Sequence, residues 1–109
     1  MTVKKPRKPH TRKTPDARHA EMLDAALRLA EQSSYRELTR EKIAAVVDCS
    51  PALVSLYFGR MDTLRDEVMR AAVERDVPAV IAQGLAARDP IAQGAESGAK
   101  TRALEGLLS

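Results

Sequence analysis

Two short helical patterns that follow each other closely constrain this chain more than any other feature. The first begins after Thr39, a helix-capping residue, and its apolar spacing is interrupted at residues 48–50. The second begins at Ser50 and Pro51, a capping residue followed by a residue favoured at the first helical position, and it ends before Gly59. Helices of about eight residues are not stable alone in water, so both must pack against other helices. Two such helices joined by a short break predict a helix-turn-helix.

The other patterns in the chain are also helical and predict an all-α fold. A longer helix should start at Thr14 and Pro15 and run to about Gln32, and Tyr35 and Leu38 should pack beneath it. Hydrophobic residues make up 44% of the chain but aromatic residues only 3%, so alanine, leucine and valine must build the core. The remaining predicted elements are helices at about 62–76, 79–88 and 99–108, a turn at Asp89-Pro90 and a loop from Gly94 to Gly98.

The composition argues against several classes of protein. A chain of 109 residues has room for one compact domain, and its single cysteine, Cys49, excludes an intramolecular disulfide and favours a buried packing role. No run approaches the ~18 consecutive apolar residues of a membrane span, so we expect a soluble cytoplasmic protein with no membrane contact. His10 and His19 share no metal-ligand spacing, and no nucleophile and base are paired. We therefore expect no metal, no cofactor and no enzymatic activity.

Positive charge is concentrated at the amino-terminal end. The whole chain carries a net charge of +3, but residues 1–19 hold seven basic side chains and one acidic side chain, a net charge of +6. Residues 1–13 should be an extended, disordered arm that tracks DNA phosphates and enters the adjacent minor groove. The alternative is a tail that only adds solubility, or a remnant of cloning. The basic residues predicted to contact DNA are Lys4, Lys5, Arg7, Lys8, Arg12 and Lys13.

A linked set of residues around the two short helices points to a known family. Its members are the stretch from Met22 to Ala30, Tyr35, Leu38-Thr39, Ile43-Ala44, Cys49-Ser50, Val54, Tyr57-Phe58-Gly59 and Leu64. In order and spacing, this set resembles the DNA-binding domain of the tetracycline-repressor (TetR-like) family, over about residues 18–75. The resemblance implies a TetR-like, homeodomain-like helix-turn-helix bundle at 14–76, followed by a short helical extension at 77–109. Asp48 stands where the family usually has glycine, but aspartate tolerates the left-handed conformation.

One side of the second short helix should be free to contact DNA, because Val54 and Phe58 must hold its other side against the core. A helix amino terminus can donate to a phosphate, a serine hydroxyl can bond a base, and an apolar side chain can touch a thymine methyl group. The resemblance implies the same contacts, and also places the start of the preceding helix near phosphate. The predicted DNA contacts in the folded part are Thr39, Arg40, Lys42, Ser50, Pro51, Ala52, Leu53, Ser55, Tyr57 and Arg60.

The carboxy-terminal extension, residues 77–109, is predicted to be a dimerisation segment. Members of the resembled family carry a large ligand-binding domain here, whereas about 33 residues remain in this chain, so we expect no small-molecule inducer. Apolar side chains in this segment should have little core left to fill within one chain. The alternative is a flexible end of a truncated chain. The candidate interface residues are Val80, Ile81, Leu85, Ile91, Leu104, Leu107 and Leu108.

Together these features favour a transcriptional repressor that binds a palindromic operator in double-stranded DNA as a homodimer, as in phage or plasmid gene control. Two alternatives stay open at this point. One is an architectural or partition protein that uses the same fold with little sequence preference. The other is an adaptor or antagonist whose exposed helix surface binds a protein.

Overall fold

The computed structural model describes residues 14–108, excluding the side chain of Leu108, so the predicted basic arm lies outside the described residues. Within this range every regular element is helical, which confirms the all-α prediction. None of these helices is both long and apolar enough to cross a lipid bilayer. The elements are α1 Pro15–Gln32, a 3₁₀ turn Tyr35–Glu37, α2 Arg40–Val47, α3 Pro51–Phe58, α4 Met61–Arg75, α5 Pro78–Ala86, α6 Pro90–Gln93 and α7 Ser97–Leu108.

Side-chain caps fix the starts of the helices that the sequence predicts best. The hydroxyl oxygens of Thr14, Thr39 and Ser50 each accept a hydrogen bond, 3.1 Å long, from the backbone N–H three residues later. Each bond satisfies one of the amide groups that a helix start leaves without an intrahelical partner. The capping predictions at α1, α2 and α3 are therefore confirmed.

Two predictions about the carboxy-terminal region are wrong. Asp89-Pro90 is not a simple turn, because the Asp89 carboxylate accepts from the Ile91 N–H at 2.8 Å and caps the four-residue helix α6. The predicted loop from Gly94 to Gly98 is shorter than expected, since α7 already begins at Ser97. An aspartate before proline is common to turns and to helix starts, so the local sequence does not distinguish them.

A single hydrophobic core runs from α1 to α7. Tyr35 and Leu38 are buried in it beneath α1, as predicted. Val80 and Ile81 are fully buried in the same core, so the prediction that they have little core to fill within one chain is wrong. The reason is that α5 packs against α1, α4 and α7 and thereby covers them.

Hydrogen bonds also connect the carboxy-terminal helices to the rest of the chain. The Gln83 side chain donates to the Ala30 carbonyl and accepts from the Tyr35 N–H, both at 2.8 Å. The Tyr35 hydroxyl donates to Asp89 at 2.9 Å. The two Gln83 bonds satisfy backbone groups at and just after the end of α1, and all three bonds fix α5 and α6 against the end of that helix.

Candidate nucleic-acid interface

The connection between α2 and α3 is a tight turn made without glycine. Asp48 adopts the left-handed conformation, with φ 57° and ψ 58°. The N–H groups of Asp48 and Cys49 both donate to the carbonyl of Ala44, so the last turn of α2 is closed. Ser50 then caps α3 directly. The predicted left-handed role of Asp48 is thus confirmed, and it brings α3 back against α2.

Side chains from three elements hold α3 in place. Val54 and Phe58 of α3 are buried, with exposed fractions of 0% and 4%. The His19 ring of α1 stacks on the Phe58 ring, with centroids 4.7 Å apart. On its other side His19 Nε2 lies 2.9 Å from the Glu67 carboxylate of α4. This short helix is therefore braced from α1 and α4, as its length requires.

The outward side of α3 differs from the predicted one in two residues. Pro51 and Ala52 are exposed, as expected, and Ser55 is half-exposed. Leu53 and Tyr57, which were expected to project freely, are half-buried and pack against the core. They lie at the flanks of the helix rather than opposite its buried side, so each is only partly accessible.

Leu56 is the residue that sequence reasoning missed. Its side chain is 78% exposed, the most exposed large apolar side chain among the described residues. Because each residue advances about 100° around a helix, a residue two places from both Val54 and Phe58 faces directly away from the core. The sequence therefore contained the necessary pattern: the two buried residues at 54 and 58 define the outward direction.

Basic side chains surround the carboxy-terminal end of α3. Arg40 Nη2 donates to the Gly59 carbonyl at 3.1 Å, so this side chain links the start of α2 to the end of α3. Arg60 is 86% exposed and lies 3.7 Å from Asp62, a distance at which solvent weakens the attraction. Lys42 Nζ donates to the Glu37 carbonyl at 3.2 Å. Of the three predicted phosphate contacts, Arg60 is the least constrained within the chain.

The predicted cap residues Thr39 and Ser50 each bond a backbone amide in the first turn of the helix that they start. The Thr39 hydroxyl accepts from Lys42 N–H and the Ser50 hydroxyl from Leu53 N–H, so each has its proton free for a further partner. Thr39 is half-exposed and Ser50 is exposed. Both therefore remain accessible at the two helix starts.

The start of α1 lies close to the turn. Cys49 is half-buried and packs against the core, so it is less enclosed than the predicted buried position. Burial raises the pKa of the Cys49 thiol, while the positive charge of Arg18 partly opposes that increase. Arg18 of α1 thus acts on the turn electrostatically, together with the carboxylates of Glu21 and Asp48, which have the opposite effect. The predicted contacts Lys4, Lys5, Arg7, Lys8, Arg12 and Lys13 precede α1 and lie outside the described residues.

Comparisons of the sequence and the structure with protein-family models, curated proteins and solved structures found no match. The resemblance to TetR-like domains therefore rests on the sequence alone and stays a prediction.

Proposed function

We propose that this protein is a sequence-specific DNA-binding repressor of transcription, built on a TetR-like helix-turn-helix, and that α3 lies in the DNA major groove. The observation that carries the proposal is α3 itself, a helix braced on one side by Val54 and Phe58 and open on the other. An α-helix with its side chains is about 10–12 Å across, and the major groove is about 12 Å wide. A rigid helix with an accessible side fits that groove.

Charge supports DNA as the ligand. Arg18 lies near the turn before α3, and Arg40 and Arg60 lie at the end of α3. Residues 1–19, which include Arg18, carry a net charge of +6. Cationic groups on both sides of a groove-binding helix are suited to contact the phosphates that flank the groove.

A homodimer follows from the same proposal, because one eight-residue helix contacts few base pairs. On α7, Leu104 and Leu107 are 50% and 63% exposed. Beside Leu107 lies an open groove of about 480 Å³ between α5, α7 and the end of α1. A surface that carries both projecting leucines and a groove can pair with a copy of itself about a two-fold axis. The groove is lined mainly by small side chains: Pro78, Ala79, Ala82, Ala103 and Gly106.

A second candidate function is the binding of a protein by α3. One observation favours it: residues 51–58 carry no charged side chain, and Leu56 is exposed among them. Aliphatic residues on an exposed helix are common anchors at helix-groove interfaces. Association through such a surface would depend only weakly on salt, unlike binding to DNA.

The test is selection of duplexes from a random pool by the full chain at physiological salt, with sedimentation of the complex. We expect an inverted repeat to be enriched and two copies of the chain to be bound to it. No enrichment over random duplex would contradict sequence-specific binding. One chain per duplex would contradict the homodimer.

The proposed phosphate contacts of the basic residues before α1 can be tested with two double variants that remove the same charge from different positions. Lys4→Gln with Lys5→Gln should lower the slope of log affinity against log salt by about 0.9 for each phosphate that the variant no longer neutralises. The control is Arg28→Gln with Arg70→Gln, which removes the same charge from exposed positions on α1 and α4. Equal slopes for the two variants would show that the amino-terminal residues act only through net charge.

A further inference from the structure

The outward side of α3 lacks the side chains that form paired hydrogen bonds with bases. Residues 50–58 contain no arginine, lysine, asparagine or glutamine. These four types make the bidentate contacts with guanine and adenine in the major groove. The polar groups that α3 offers are single hydroxyls, on Ser55, on Tyr57 and on Ser50, whose oxygen caps the helix but whose proton is free to donate. A single hydroxyl bonds to several base edges and discriminates poorly among them.

The exposed surface that α3 does offer is apolar. Ala52 and Leu56 stand four residues apart, so they are neighbours on the helix surface. Leu56 is 78% exposed and faces directly away from the buried Val54 and Phe58. In the major groove the edges of the four bases present one apolar group, the C5 methyl group of thymine.

We infer that Leu56, with Ala52 beside it, determines specificity by contacting thymine methyl groups. This inference rests on the proposed DNA-binding function and deepens it by naming the feature of the base pairs that α3 recognises. The occupant of the surface is duplex DNA because the apolar patch is flanked by cations, with Arg60 86% exposed just beyond the helix. A negatively charged ligand that also carries methyl groups in a groove matches both properties of the surface.

The experiment is a cycle that combines a protein change with a base change. In the duplex enriched by the full chain, single thymines are replaced by deoxyuridine, which removes only the C5 methyl group. Affinity is then measured for the wild-type chain and for Leu56→Ala. At one or two positions the wild-type chain should bind deoxyuridine about fourfold more weakly, the loss expected for one apolar methyl contact of about 0.8 kcal/mol.

The decisive result is non-additivity between the two changes. Leu56→Ala should show a similar loss on the thymine duplex and little further loss when the same thymine becomes deoxyuridine. Leu56→Met, which keeps an apolar side chain, should retain most of the affinity. Val46→Ala serves as the control for shortening an exposed aliphatic side chain, because Val46 of α2 is 48% exposed, and it should bind like the wild-type chain.

Two results would overturn the inference while leaving the proposed function intact. One is an enriched duplex that Leu56→Ala binds as tightly as the wild-type chain, which is also the result expected if a protein occupies this surface. The other is that Leu56→Ala loses the same affinity, relative to the wild-type chain, on the thymine duplex and on the deoxyuridine duplex. If instead no duplex is enriched and binding does not weaken with salt, the proposed function fails, and the inference fails with it.

Discussion

The pair of short helices α2 and α3 and the carboxy-terminal helices α5, α6 and α7 are held together in different ways. In α2 and α3 local hydrogen bonds set where the helices begin and turn: Thr39 and Ser50 cap the two helices, and Asp48 turns the chain between them, while Val54 and Phe58 pack α3 against the core. In α5, α6 and α7 small side chains allow close packing, and Gly84 lies at the tightest point. The difference shows that the exposed helix α3 has its ends fixed by local caps, whereas the carboxy-terminal segment is fixed by close contacts between helices.

The largest expected effect tests the close packing around Gly84. A Cβ atom at this position would lie 2.5 Å from the Ala92 Cβ and 2.6 Å from the Met69 Cε. Because the Ala92 Cβ cannot rotate away, Gly84→Ala should lower the free energy of unfolding by about 1–3 kcal/mol. Urea denaturation measures this directly.

Gly106 provides the matched control in α7. A Cβ atom there would meet no atom of the same chain within 4 Å, so Gly106→Ala should be neutral or stabilising by up to about 1 kcal/mol when unfolding is measured at a concentration too low for the proposed pairing through the groove that Gly106 lines. Similar effects of the two substitutions would show that α5 and α6 are not closely packed, and the contrast between the two regions would then fail.

The next effect concerns the hydrogen bond that joins the 3₁₀ turn before α2 to the carboxy-terminal helices. Tyr35→Phe removes the bond from the tyrosine hydroxyl to Asp89, 2.9 Å long, and should lower the free energy of unfolding by about 1.5 kcal/mol at pH 7. Burial, together with the bond and the charge of Asp89, raises the pKa of Tyr35 above its usual value near 10. The protonated phenol is therefore favoured in the folded protein.

This shift gives the Tyr35 prediction a pH dependence. Stability contributed by the raised pKa is fully present below pH 10 and is lost as the pH rises through the folded-state pKa. The difference in unfolding free energy between the wild-type chain and Tyr35→Phe should therefore shrink above pH 10. A difference that stays constant from pH 7 to pH 11 would count against the Tyr35–Asp89 bond.

The smallest expected effect comes from two aspartates in the left-handed conformation, one in the turn before α3 and one before α5. Asp48 in the turn and Asp76 after α4 have nearly equal backbone angles, with φ of 57° and 55°. Asp48→Gly should stabilise the fold by roughly 0.5 kcal/mol, because relief of the left-handed strain slightly exceeds the added entropy of the unfolded chain. Asp76→Gly should stabilise it less, because it also removes the ion pair between Asp76 and Arg102 Nε, which are 2.8 Å apart. Alanine at either position should destabilise it instead. Thermal unfolding of the four variants measures these changes. An alanine variant that does not destabilise the fold would show that the turn at that position is not left-handed.

The sequence predicted the candidate interface better than it predicted the carboxy-terminal region. The bounds of α3 and its cap at Ser50 agree with the expectation, since both depend on residues adjacent in the chain. The burial of Val80 and Ile81 was not predictable in the same way, because the helices that cover them come from distant parts of the sequence. The same limit applies to Leu53 and Tyr57, whose half-burial depends on how α3 is tilted against its neighbours.

The sequence by itself determined that the described chain is helical and where α1, α2 and α3 begin, because a cap and the helix it starts lie within three residues of each other. Only the tertiary structure decided that Val80 is buried within one chain and that Tyr35 binds Asp89, a residue 54 positions away. The physical reason is range: hydrogen bonds at helix ends act between neighbours, whereas burial is decided by whichever helices pack together in three dimensions.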